Sequence, residues 1–227
     1  MKNRKSKDIS RSSGLCIIIG SILLSIGYWI RPYSEKQFVR DFAGSAALYS
    51  SILVAAGILM LLTGLPALFN QHMKEKNAPR FMAFAFTFIG LAAFHLGTLA
   101  LYFVLPVLVN YSNDTYKLIA QDVPPFPRFA IFWAISLLIQ VFGILAYGIK
   151  MLRSNVYPRT ATFLMLAGAL LLIASPPINF RLLQPAVTMV MAGFAWYGIT
   201  LIGSIGVKAT SGSNELEFQA TSNSTSL

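Results

Sequence analysis

Residues 81–109 read FMAFAFTFIGLAAFHLGTLALYFVLPVLV, and no Lys, Arg, Asp or Glu interrupts them. A helix of about 20 apolar residues crosses the roughly 30 Å hydrocarbon layer of a bilayer. This run is longer, so it predicts a helix that tilts within the layer or projects beyond it. Lipid offers no partner to a bare backbone amide or carbonyl, so a segment in that solvent has to be helical.

Five further runs share this character: 14–30, 44–69, 129–149, 160–175 and 186–207. The first and fifth are short. All 18 basic and 8 acidic residues of the chain fall in the tails and connecting loops. Hydrophobic residues make up 56% of the chain and mean hydropathy is +0.64, more apolar surface than a soluble fold of this size can bury. The expected fold is all-α, an integral membrane bundle of six transmembrane helices. A basic tail (1–13) precedes the membrane domain (14–207), and a Ser/Thr-rich disordered tail (208–227) follows it. The apolar run after the basic tail lacks a small-x-small cleavage site and continues Arg31-Pro32-Tyr33, so it reads as a retained first span.

The net charge of +10 invites a nucleic-acid reading, but its distribution speaks for topology. With the N-terminus inside, the 18 basic residues divide 12 to 6 in favour of the cytoplasmic side, while the 8 acids split evenly. Under the positive-inside rule this places both termini in the cytoplasm. Nucleic acid is not an expected partner; membrane lipid is.

The inner hairpin Gly148-x-x-x-Leu152-x-Ser154-x-x-x-Pro158-Arg159, followed by a Gly-bearing apolar helix, resembles a pattern in uncharacterised six-span bacterial membrane proteins. The resemblance covers about a quarter of the chain. It implies the six-span layout and a bacterial inner (plasma) membrane, and no site. A faint direct repeat relates Gly57, Pro79-Arg80 and Gly90 to Gly143, Pro158-Arg159 and Gly168; chance accounts for three matched features equally well.

Small residues let membrane helices approach closely. Ala43, Ala47, Ser51 and Ala55 recur every four positions in the second run, and Ala93 and Gly97 serve the third. They read as packing surfaces inside the bundle, with a homodimer seam or contact with another membrane protein as the alternative. Cys16, the single cysteine, excludes an internal disulfide and reads as a small packing residue.

His95 is the only His, Lys, Arg, Asp or Glu inside any run. It lies 14 positions beyond Phe81, about 21 Å along a helix, near the expected middle of the bilayer. Ionisable residues at such depth are functional candidates. Thr98 and Tyr102 follow at i+3 and i+7 on the same face. The fourth run offers Trp133, Ser136, Gln140, Gly143 and Tyr147 as a matching stripe. If the faces meet, His95, Thr98, Tyr102, Trp133, Ser136, Gln140 and Tyr147 enclose a small polar pocket for a ligand. The other reading is a neutral His95 bonded to Gln140, Thr98 or a carbonyl, which only specifies packing.

His72, the second histidine, belongs to the cytoplasmic loop, so a bis-His haem or a zinc site is not expected, and no metal or other cofactor is. No hydrolase, phosphate-binding or metal-hydrolase motif occurs, so nothing supports catalysis. The absence of charge in the runs also counts against ion-coupled transport. Three functions stand in order: a non-enzymatic component that binds a lipid, a small apolar ligand or another membrane protein; a small transporter or channel for neutral or lipophilic solutes; and, last, a redox or lipid-processing enzyme built on His95.

Overall fold

The computed structural model describes the backbone of residues 2–30, 45–72, 78–111, 127–154, 157–178 and 180–224, and side chains within 10–30, 46–70, 78–99, 131–153, 157–175 and 181–203. Every described element is helical. Six α-helices run α1 (Lys2–Ile30), α2 (Ser45–His72), α3 (Ala78–Tyr111), α4 (Pro127–Ser154), α5 (Arg159–Ile178) and α6 (Leu183–Ser224), with a single 3₁₀ turn at Phe180–Leu182. Each of the six apolar runs seeds one helix.

Among the described residues, five helices are long and apolar enough to cross a membrane, through Ser10–Ile30, Ala46–Asn70, Phe81–Leu99, Ile131–Arg153 and Leu183–Gly203. The apolar part of α5, Arg159–Ser175, is shorter. The outward surface is lipid-like. Ile22, Leu59, Ile89, Phe142 and Leu170 are all exposed. Such a surface is stable only in an apolar solvent, which marks the chain as an integral membrane protein.

The helices follow one another around a closed ring. Each packs on its neighbour in sequence, and α6 returns to pack on α1. Neighbours are antiparallel throughout. The near end of the bundle carries the start of α1; the far end is where α1, α3 and α5 finish. Core side chains such as Leu24, Ile58, Leu91, Phe94, Ile144 and Phe194 fill the interior.

Two kinds of seam hold this ring. The first brings backbone against backbone at glycine. On α1, Gly20 and Gly27 are spaced by seven; on α2, Ser50, Gly57 and Gly64 repeat the same interval. Seven residues return to one face of a slightly supercoiled helix. A Cβ at Gly20 would lie 2.7 Å from the carbonyl oxygen of Gly57, and one at Gly57 2.9 Å from that of Gly20. Ser50 Oγ adds an interhelical bond, donating to the Gly27 carbonyl at 2.7 Å. The α3–α4 crossing is tighter still: a Cβ at Gly90 would strike the backbone nitrogen of Gln140, and one at Gly143 that of Thr87. Gly168 and Gly193 close α5 on α6 against the carbonyls of Ala186 and Ala161, each 2.9 Å from the added Cβ. Gly14 and Gly198 do the same between α1 and α6, at 2.9 and 2.8 Å from each other's carbonyl oxygen.

The second kind of seam is made by side chains. Between α2 and α3, Phe69 stacks on Phe84 with ring centroids 4.4 Å apart and meets Phe81 edge-on at 5.9 Å. Between α4 and α5, Gly148 faces the side chains of Leu166 and Met165. Both packings lie at the near end.

Of the expected packing residues, Ala47 and Ser51 are buried, and Ser51 Oγ donates to the Ala47 carbonyl at 2.7 Å. Ala55 and Ala93 are half-buried. Gly97 lies against the Phe132 ring, which an added Cβ would approach to 2.9 Å. Ala43 lies outside the described residues. The closest approach of α1 and α2 falls instead on the seven-residue series of Gly20, Gly27, Ser50, Gly57 and Gly64.

Candidate functional site

His95 stands midway along α3 and is fully buried. Its Nδ1 lies 3.1 Å from the hydroxyl of Tyr28, which is also buried. Either Tyr28 donates to an unprotonated Nδ1, or a protonated Nδ1 donates to the phenol oxygen. The rings meet edge to face, with centroids 5.7 Å apart. Phe94 covers a second side of the imidazole, at 5.1 Å and nearly perpendicular. Trp133 of α4 packs on Phe94, also at 5.1 Å.

Around this pair runs a polar relay. Trp133 Nε1 donates to Thr98 Oγ1 at 3.3 Å, and Thr98 donates to the Phe94 carbonyl at 2.7 Å. The faces of α3 and α4 proposed from sequence therefore meet. The same device recurs between α1 and α6: Trp29 Nε1 donates to Thr188 Oγ1 at 2.9 Å, and Thr188 to the Gln184 carbonyl at 2.8 Å. Gln184 Nε2 in turn donates to the Tyr28 carbonyl at 3.1 Å. That carbonyl lies in the last turn of α1, where helix carbonyls turn to side chains for donors. The backbone that carries the Tyr28 phenol is thus fixed.

These contacts set the depth of the cluster. Tyr28 lies two residues from the end of α1, and Gln184 is the second residue of α6. His95 therefore lies level with the last turn of α1 and the first turn of α6.

Ser136 is buried and donates to the Phe132 carbonyl at 2.8 Å. Gln140 is 2% exposed and sits against the backbone of Gly90. Its Oε1 has no hydrogen-bond partner among the described residues. Gln140 does not bond His95; that role falls to Tyr28. Tyr102 belongs to α3, but its side chain lies outside the described residues.

Tyr147 is placed elsewhere. It is 14 residues from Trp133, about 21 Å along α4, and so lies toward the near end. There Tyr157 and Tyr197 stack with centroids 4.7 Å apart. The Tyr197 hydroxyl lies 2.7 Å from Thr162 Oγ1, which donates to the Pro158 carbonyl at 3.4 Å. Burial, with Tyr197 adding to it, holds the Tyr157 phenol well above its ordinary pKa.

Sequence reasoning missed Tyr28, Phe94 and Gln184. A hydroxyl-bearing aromatic at the end of the first run was a visible signal; its pairing with a residue 67 positions away was not. No group of three or more His, Cys, Asp or Glu able to hold a metal occurs among the described residues. What the arrangement offers is neutral: one imidazole, one phenol, an indole, hydroxyls and an amide carbonyl between aromatic walls. That set can bind a hydroxyl or amide headgroup beside an apolar body. No protein-family model, curated protein or solved structure matches the chain.

Proposed function

We propose that the chain is a six-span membrane protein, with its near end and both termini cytoplasmic, which binds a lipid or small apolar ligand carrying one polar group. The ligand sits beside Tyr28, His95, Trp133 and Gln140 and undergoes no chemistry there. One observation carries this reading: the Gln140 carbonyl is buried without a hydrogen-bond donor among the described residues. An unsatisfied buried acceptor costs about 1–3 kcal/mol. A ligand hydroxyl or amide would remove that cost. The apolar helices and the aromatic walls supply the rest of the affinity.

The test is native mass spectrometry of protein released from mild detergent. The wild-type chain should carry one apolar molecule, and Gln140→Leu should lose it while remaining folded. Empty wild-type protein, or equal retention by Gln140→Leu, would sink the proposal.

A further inference from the structure

The two kinds of seam divide the ring unequally. Glycine contacts or polar relays join α2 to α1, α1 to α6 and α6 to α5. Those four helices form one body. Gly90, Gly143 and the Trp133–Thr98 bond join α3 to α4 as a second. The described contacts between the bodies at the near end are side-chain packings: Phe69 on Phe84, and Gly148 against Leu166. The chain also passes between the bodies only at that end, from His72 to Ala78 and from Ser154 to Arg159. At the far end no covalent link joins them. There Tyr28 of the four-helix body reaches across to His95, although α1 and α3 are not neighbours in the ring.

We infer that the α3–α4 hairpin is an arm hinged at the near end and latched at the far end by the Tyr28–His95 bond. A backbone-to-backbone glycine crossing has no side chains that can slide, so each body moves as a unit. Side-chain packing tolerates small shear and rotation, which is how packed helices move. Opening separates Tyr28 from His95 and parts the bundle where the polar cluster lies. What enters there rests on the binding reading given above; the hinge itself is tested with no ligand present.

The experiment is pulsed electron spin spectroscopy on the full chain in nanodiscs, with Cys16→Ser as the background and label pairs at lipid-facing sites. Ile26→Cys with Leu96→Cys spans the bodies at the far end. Leu15→Cys with Met82→Cys spans them at the near end. Ile26→Cys with Ile173→Cys stays within the four-helix body. All five positions are exposed. Tyr28→Phe keeps the ring and removes the hydroxyl. It should raise a longer-distance population about threefold in the far-end pair, the effect of losing one interhelical hydrogen bond in a bilayer, and leave the other two pairs unchanged. A far-end pair that stays as narrow as the near-end pair overturns the hinge. So does a change in all three pairs, which would make the bond a support of the whole bundle. Loss of the co-purified molecule from wild-type protein would bear on the binding reading and leave the hinge standing.

Discussion

α2 makes one seam with α1 and another with α3, and the two are built from opposite materials. Against α1 it presents Ser50, Gly57 and Gly64, and the backbones touch. Against α3 it presents Phe69, and rings fill the gap. In lipid the hydrophobic effect does not drive helices together; close packing and hydrogen bonds do. The glycine seam uses both, since Ser50 also bonds across it. Among the described residues the aromatic seam uses packing alone. The contrast teaches that in one bundle helix spacing is set where side chains vanish, and freedom is kept where they are bulky.

The largest expected effect follows from putting bulk into a backbone contact. Gly90→Ala should destabilise the protein by about 3 kcal/mol, because the new methyl meets the Gln140 backbone, which cannot rotate away. Gly203→Ala, with nothing within 4 Å of the added atom, should leave thermal unfolding in detergent unchanged. If both glycines tolerate alanine equally, the two-seam picture breaks.

Ser50→Ala sharpens the comparison by removing the polar part of the glycine seam alone. Interhelical hydrogen bonds in bilayers average about 0.6 kcal/mol, so steric-trap unfolding should show a loss of that order. A loss several times larger would mean that the hydroxyl, and not the glycine series, sets the α1–α2 spacing.

The smallest effect lies in the second aromatic cluster and appears only in alkali. The fold favours the neutral Tyr157 phenol, so its contribution is intact below the ordinary value of 10.0. It is lost as pH rises above that value, where the unfolded chain ionises first. Tyr157→Phe should flatten the alkaline fall in stability, read by denaturation in a pH series.

The helices were legible because charge is excluded from each run and a bilayer admits little but helix. The run 129–149 became Pro127–Ser154, and 160–175 became Arg159–Ile178. The α3–α4 side of the site was also legible: Thr98 and Trp133 share facing stripes at helical spacing, and they bond. Tyr28 was not, since periodicity within one helix says nothing about which helix lies across the ring. Tyr147 was grouped by stripe with Trp133, although one stripe runs the full height of a bundle and joins groups about 21 Å apart. The Gly20/Gly27 and Ser50/Gly57/Gly64 intervals are readable in the sequence, but a four-residue stripe of small residues on the same helices competes with them.

The ring order has a consequence for biosynthesis. Each helix emerging from the ribosome finds its partner already made, one step behind it, so hairpins can pair locally as they are synthesised. Among the glycine contacts Gly14 alone faces a long wait. Its surface meets Gly198, which is translated last of all the glycine contacts. Until then one flank of α1 lies without its helix partner, open to lipid.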